Sequence, residues 1–216
     1  MKRIMIKRIA YVALVILLAF MVRVVILPRI SYALINRQFD SFRQRENRED
    51  VVLGINGASQ EVIEQTYEVW ETVPENIREH FIKSEWILVV NGEELSTLTG
   101  QHKNGHVLDG VTFYKRKVVY IGNYIESPIY ALMHEMGHYL DYSYGKISDS
   151  SEWIDLYKEE APEHLSPAGA HANEYMTETP SEYFADVFNA AIYDPVGCQL
   201  RTPKSYDFVM RLAVRR

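Results

Sequence analysis

The segment ALMHEMGHYLDYSYG (131–145) sets two histidines four residues apart, with a glutamate beside the first. On an α-helix His134 and His138 lie one turn apart on one face, so both imidazoles can reach a single metal ion. Glu135 stands about 100° around the helix from His134, where it reaches a water on the metal without being a ligand. This is the H-E-x-x-H arrangement, in which a zinc ion acidifies the water and the glutamate acts as general base. Gly137 lies between the two ligands at a cost of about 1 kcal/mol in helix propensity. Its expected use is to keep the face beside the metal uncrowded.

Zinc needs a third protein ligand. Three and six residues after His138 stand Asp141 and Tyr144, not glycine and histidine, which removes the metzincin pattern. Asp141 shares the histidine face, but one straight helix does not easily give three ligands to a tetrahedral centre. Its expected place is behind the ligands, hydrogen-bonding one of them. The segment TPSEYFADVFNAAIY (179–193) offers Glu182 and Asp186, one turn apart and opposite much of its apolar stripe. Two accounts fit these residues. As a capping box, Thr179 is the N-cap, Glu182 is the third helical residue and Asp186 is solvated. As a metal site, Glu182 is the third ligand and Asp186 stands behind a histidine.

These groups need a scaffold. Ser59 caps a helix from Gln60 with a stripe of Val62, Ile63, Tyr67, Val69 and Trp70, which Pro74 ends or restarts. EWILVV (85–90) has the branched residues of a buried strand, followed by an Asn-Gly turn. VTFY and VVYIG flank KRK (115–117) as a β-hairpin. Between them the Gly-rich loop TGQHKNGHVLDG (99–110) carries His102 and His106 and is placed to border a cleft. The His134 helix runs from about Pro128 to Tyr142, ended by Gly145. Further helices cover 150–161, 179–193 and the segment after Thr202. Helices, a small β-region and more helices make the chain α+β.

With 216 residues the chain holds one domain with a real core and a short appendage. Cys198 is its only cysteine, which excludes an intramolecular disulfide and a zinc site built on several thiolates. His80, His102, His106, His164 and His171 have no partner at ligand spacing on a regular element and are expected on the surface or in loops.

The appendage is N-terminal. MKRIMIKR is basic, and IAYVALVILLAFMVRVVIL (9–27) is apolar but for Arg23, about the roughly 20 residues needed to span a bilayer. Ser31 and Ala33 suit signal cleavage after Ala33. Arg23, Arg29 and the length of the run favour an uncleaved anchor, and the basic start favours the N-terminus inside. The expected organisation is a signal peptide or signal anchor over 1–33, a charged linker or frayed helix over 34–50, and the folded domain over 51–216. The catalytic part then lies on the extracellular face of the membrane or is secreted. Six of the 23 basic residues fall in the first 33, leaving 17 against 29 acidic ones, a formal charge of −12. Such a domain is not expected to bind nucleic acid, which needs a basic face.

HEMGHYLDYSYG followed by EYMTETPSEYFADVF resembles the catalytic domain of anthrax lethal factor and its relatives, which include secreted Pro-Pro endopeptidases. The resemblance is specific over about 134–188 and looser over 51–130. It implies a zincin-like metallopeptidase domain: a small mixed sheet with a hairpin edge, an active-site helix and C-terminal helices. It implies one zinc ion on His134, His138 and Glu182 (a gluzincin-type set), Glu135 as base, and Tyr175 as oxyanion donor. Asp141 and Asp186 become supports behind the ligands, and the substrate is a peptide or protein with proline near the cleaved bond. The strand edge at 118–121 would receive the peptide in extended form. Substrate-contacting residues remain unassigned. The competing functions are a catalytically inactive, membrane-anchored binding or regulatory protein of the same fold, and a zinc hydrolase of non-peptide amides. An intact Glu135 argues against the first.

Overall fold

Short runs of branched residues build a four-stranded mixed sheet in the computed structural model, which describes residues 16–43, 51–96, 108–167 and 174–214. The strands are β1 (Val52–Ile55), β2 (Ile87–Asn91), β3 (Gly110–Phe113) and β4 (Val118–Gly122), in the order β1-β2-β4-β3. β2 pairs parallel with both β1 and β4, while β3 pairs antiparallel with β4 in the register Thr112 to Val119. Every residue of β2 and β4 is buried, as expected of central strands covered on both faces. Lys117, at φ 53°, closes the hairpin after a 3-10 turn over Tyr114–Arg116.

The N-terminal unit, residues 1–47, is distinct from the unit of residues 48–216. Its described part is helical from 16, through a π-helical turn at Val22–Ile26, to α1 (Leu27–Arg43). Ile16, Leu17, Leu18, Phe20 and Met21 are exposed on it. Among the described residues no helix is long and apolar enough to cross a membrane; the basic start and residues 9–15 of the apolar run lie outside them. Residues 37–43, expected as a charged linker or frayed helix, are helical.

In the larger unit α2 (Gln60–Thr72) and α3 (Glu75–Lys83) carry the chain from β1 to β2. Pro74 separates the two helices. After the hairpin come α4 (Ser127–Ser143), α5 (Ser151–Glu160), α6 (Pro180–Tyr193), α7 (Pro195–Arg201) and α8 (Pro203–Val214). α4 ends where Gly145 takes a left-handed φ of 77°. That conformation costs a glycine little and other residues more.

Two aromatic clusters hold α4 and α6 in place. Phe81, Trp86 and Tyr139 pack mutually edge-on or tilted, with centroids 4.9–5.9 Å apart, tying α4 to α3 and β2. Trp153 packs on Tyr183, Phe184 and Phe208, joining α5, α6 and α8. Each such pair contributes about 0.5–1.5 kcal/mol beyond its buried area.

The structure alters two sequence expectations. The strand at 118–121 was expected to offer an edge to the peptide, but β4 is paired on both sides, and among the described residues the strands with an unpaired edge are β1 and β3. The reason is that β2, earlier in the chain, claims the outer side of β4. Gly137 does not open space for a metal. A Cβ there would stand 2.6 Å from the Cα and 2.7 Å from the carbonyl oxygen of Ala185. Gly137 is the point where the backbones of α4 and α6 touch.

Candidate metal centre

That close approach brings the inner faces of α4 and α6 together. His134, Glu135 and His138 are buried on α4. Facing them, α6 opens with Pro180 after the N-cap Thr179, whose hydroxyl accepts from the Glu182 amide at 3.1 Å. Half of the capping box therefore forms. Its other half does not, because the Glu182 carboxylate turns toward the histidines. Glu182 Oε2 lies 3.1 Å from His134 Nε2 and 3.4 Å from His138 Nε2. The capping and metal readings of this segment are thus compatible, one using the backbone and the other the side chain.

The three groups present ligand atoms all within 4.8 Å of one another, so they can hold a metal ion. Two donors of a tetrahedral zinc site, with bonds of about 2.0–2.1 Å, stand roughly 3.4 Å apart. Both nitrogen-to-carboxylate distances match that spacing. Two neutral nitrogens and one carboxylate are also a donor set that zinc accepts. Among the described residues the buried Nδ1 atoms of both histidines have no aligned hydrogen-bond partner, so the polar geometry is arranged around the Nε2 side.

The carboxylates around His134 favour its charged form. Burial disfavours a charged His134, but Asp186 and Glu182 outweigh it and lift the pKa to about 10. Burial pushes Glu182 up, yet hydrogen bonds and charge from His134 and His138 hold it well below the usual carboxylate range.

Glu135 accepts a 2.6 Å hydrogen bond from the Thr112 hydroxyl on its Oε2. Thr112 belongs to β3, so the edge strand fixes the rotamer of this carboxylate. Gly110 on the same strand is equally constrained: a Cβ would come within 2.7 Å of Glu135 Cγ and 2.8 Å of Ala131 Cβ. Neither residue stands out in the sequence, because the contact depends on strand pairing and not on spacing.

Tyr175 lies in a short helical turn at 174–176, and its hydroxyl donates to Glu182 Oε1 at 3.3 Å. Burial, then the charges of Glu182 and Glu135, raise its pKa, so the phenol keeps its proton and remains a donor. Tyr157 steadies the link to α6: its hydroxyl donates to the Thr177 carbonyl at 2.9 Å, with that of Glu178 at 3.3 Å. Trp153 Nε1 donates to the Pro180 carbonyl at 2.8 Å, pinning the first turn of α6.

The two expected supports differ. Asp186 is fully buried, with Oδ1 3.5 Å from His134 Nδ1, outside hydrogen-bonding alignment, and Oδ2 2.8 Å from His164 Nε2. Burial would raise its pKa; His134 and His164 bring it well below the ordinary value. Asp141 accepts from the Ser148 amide and hydroxyl at 2.7 and 2.8 Å, and from Ser181 Oγ at 3.4 Å. It ties the end of α4 to the next turn and to α6, and makes no hydrogen bond to His138. Burial raises the Asp141 pKa against these partners.

His164, expected on the surface or in a loop, is buried. Its partner is 22 residues away, a separation no motif reveals. His80 is half-buried against Tyr139 and Ser84. His102, His106 and His171, with most of the loop at 99–110, lie outside the described residues.

A family model described as "Anthrax toxin lethal factor, N- and C-terminal domain" matches residues 59–212. Among solved structures, the Pro-Pro endopeptidase of Paenibacillus alvei is similar with a TM-score of 0.56, at 17% identity. The match covers 76% of this chain and 98% of that one. No curated protein matches the sequence. The matched span contains His134, Glu135, His138, Tyr175 and Glu182.

Proposed function

The chain belongs to the anthrax lethal factor family, and from that membership and the geometry of its two facing helices we propose that it is a zinc-dependent endopeptidase of zincin-like, gluzincin-type architecture. The observation that carries the proposal is the convergence of His134, His138 and Glu182, with Glu135 buried next to His134 on the same helix. Glu135 has no role in holding a metal here. A buried carboxylate beside such a site is what a hydrolase needs and a binding protein does not.

His134, His138 and Glu182 would hold the ion. When bound, zinc supplies Lewis acidity and makes water a nucleophile near neutral pH. The remaining work falls to the chain. Glu135, oriented by Thr112, takes the proton of the attacking water and delivers it to the leaving amine. Tyr175, a neutral phenol beside the ligand carboxylate, donates to the oxyanion that develops on the scissile carbonyl. β3 offers its free edge to an extended peptide, and Thr112 and Gly110 bring that edge against Glu135. A preference for proline near the cut is supported by the similarity to a Pro-Pro endopeptidase.

For localisation, the basic start, the apolar run and the exposed apolar side chains from Ile16 to Met21 support an uncleaved N-terminal anchor over 1–33, with the domain over 51–216 outside the cell. Substrates are then exported or cell-surface proteins.

The test is a digest of proline-containing peptides by the full-length chain, with and without chelator, beside Glu135→Gln. Cleavage that chelator abolishes and zinc restores is expected, with Glu135→Gln binding zinc but inactive. A zinc-loaded Glu135→Gln protein that cleaves as the wild type does would refute the assignment of the base. A wild-type chain that binds zinc and cuts no peptide would favour the non-catalytic alternative.

A further inference from the structure

One buried polar group close to the site has no part in the scheme above. His164 follows the 3-10 turn Ala161–Glu163 and is 2% exposed. Its ring meets the ring of Tyr183 edge-on, with centroids 5.3 Å apart at 88°. Its Nε2 donates to Asp186 Oδ2 at 2.8 Å. Asp186 is completely out of water, and its other oxygen, Oδ1, lies 3.3 Å from Asn189 Nδ2 and 3.5 Å from His134 Nδ1.

The two oxygens of Asp186 are therefore divided. One accepts from His164; the other accepts from Asn189 Nδ2 and also faces the ring nitrogen of His134 that points away from Glu182. A ligand histidine presents Nε2 to a metal when its Nδ1–H is accepted by a carboxylate, and such outer partners set ring orientation and affinity. A carboxylate buried without a donor would rotate toward any other partner or take up a proton. His164, packed edge-on against Tyr183, holds the oxygen that Asn189 does not, and with it the carboxylate stays turned toward His134.

We propose that His164 is a positioning residue that acts through Asp186 to hold His134 in the orientation for binding zinc. This rests on the reading of His134, His138 and Glu182 as a zinc site. The chain His164–Asp186–His134 spans three separate segments: the turn after α5, the middle of α6, and α4. It makes the metal affinity of α4 depend on a residue 30 positions away.

The experiment measures zinc affinity of the full-length chain by competition with a chromophoric chelator, and the visible spectrum of its cobalt form. Four variants are compared with the wild type: His164→Leu, which fills volume without a donor; His164→Gln, whose amide nitrogen reaches the place of Nε2; Asp186→Asn; and His164→Leu with Asp186→Asn. His164→Leu is expected to weaken zinc binding by on the order of tenfold and to shift the cobalt spectrum. His164→Gln should stay within about threefold of the wild type, and the double variant should be no weaker than Asp186→Asn alone, because one residue acts through the other. Binding by His164→Leu within about threefold of the wild type, or losses that multiply in the double variant, would overturn the proposal. If His164→Leu does not fold, His164→Gln decides: near-wild-type affinity with an unaltered cobalt spectrum supports the proposal, and a larger loss overturns it. A wild-type chain that binds no zinc refutes the metal site itself; an unaffected His164→Leu refutes only the role of His164.

Discussion

At the scale of single residues the site sets two carboxylates against one buried imidazole. His134 is held charged by Asp186 and Glu182, with a pKa of about 10 against an ordinary value of 6.5. Zinc needs the neutral imidazole, so at neutral pH it must displace that proton. Zinc uptake at pH 7.5 should release about one proton from this ring, and affinity should fall as pH falls. Calorimetry in buffers of different ionisation enthalpy reads the number directly, and uptake with no proton release would contradict it. The same proton stabilises the metal-free fold: its contribution is complete below pH 6.5 and is lost as pH rises through about 10. Tyr175 has the opposite character. It touches the ligand carboxylate and is a poor candidate for a ligand itself, being neutral. Tyr175→Phe should keep zinc affinity within a few-fold and lower kcat by roughly 10²–10³, the usual loss of one oxyanion donor. A parallel loss of zinc would show that the phenol serves the metal and not the transition state.

At the scale of elements the governing contact is the one between α4 and α6. Gly137→Ala places a methyl carbon 2.6 Å from Ala185 Cα, backbone against backbone, where nothing flexible can yield. The helices must separate, which costs about 1–3 kcal/mol as overpacking, and the gain of about 1 kcal/mol in helix propensity does not offset it. Urea unfolding should show net destabilisation, with zinc affinity reduced because His134 and Glu182 move apart; a stabilised variant would deny the contact. Most of the helices were legible from the chain, because an apolar stripe is bounded by a cap such as Thr179, or by Pro74 and Gly145. Three things were not. β1 is four residues with no alternation of burial, and its pairing with β2 joins positions 36 residues apart. α7 begins immediately after a helix end because Asp194 caps it, accepting from the Gly197 amide. The true sheet edge depends on which strand β2 chooses, a long-range choice that local pattern does not carry. For the candidate site, His134, Glu135 and His138 stood out by helical spacing, while Glu182 and Asp186 were open to a capping reading until the family resemblance singled them out. Those reached through tertiary contact, Thr112 and His164, were not legible.

At the scale of the whole molecule, a strongly acidic larger unit follows a basic, apolar N-terminal segment. The roughly −12 charge of residues 34–216 repels an anionic membrane surface, so adhesion through the domain itself is unfavourable. Any membrane attachment must come from burial of the apolar segment. That attachment is hydrophobic and indifferent to salt, whereas electrostatic adhesion is screened within about 8–10 Å at 0.1–0.15 M ionic strength. The full-length chain expressed in a bacterial host should therefore sediment with membranes, resist release by high salt and by alkaline carbonate, and come free only in detergent. Cleavage after Ala33 would instead leave a soluble chain that lacks all of the apolar run. The intact mass of the detergent-extracted protein separates the two outcomes. The mass of the complete 216-residue chain supports the anchor; the mass of residues 34–216 in the soluble exported fraction refutes it. Protease added to intact cells then reports the side: an N-terminus held inside by Lys2, Arg3, Lys7 and Arg8 leaves the metal centre accessible from outside.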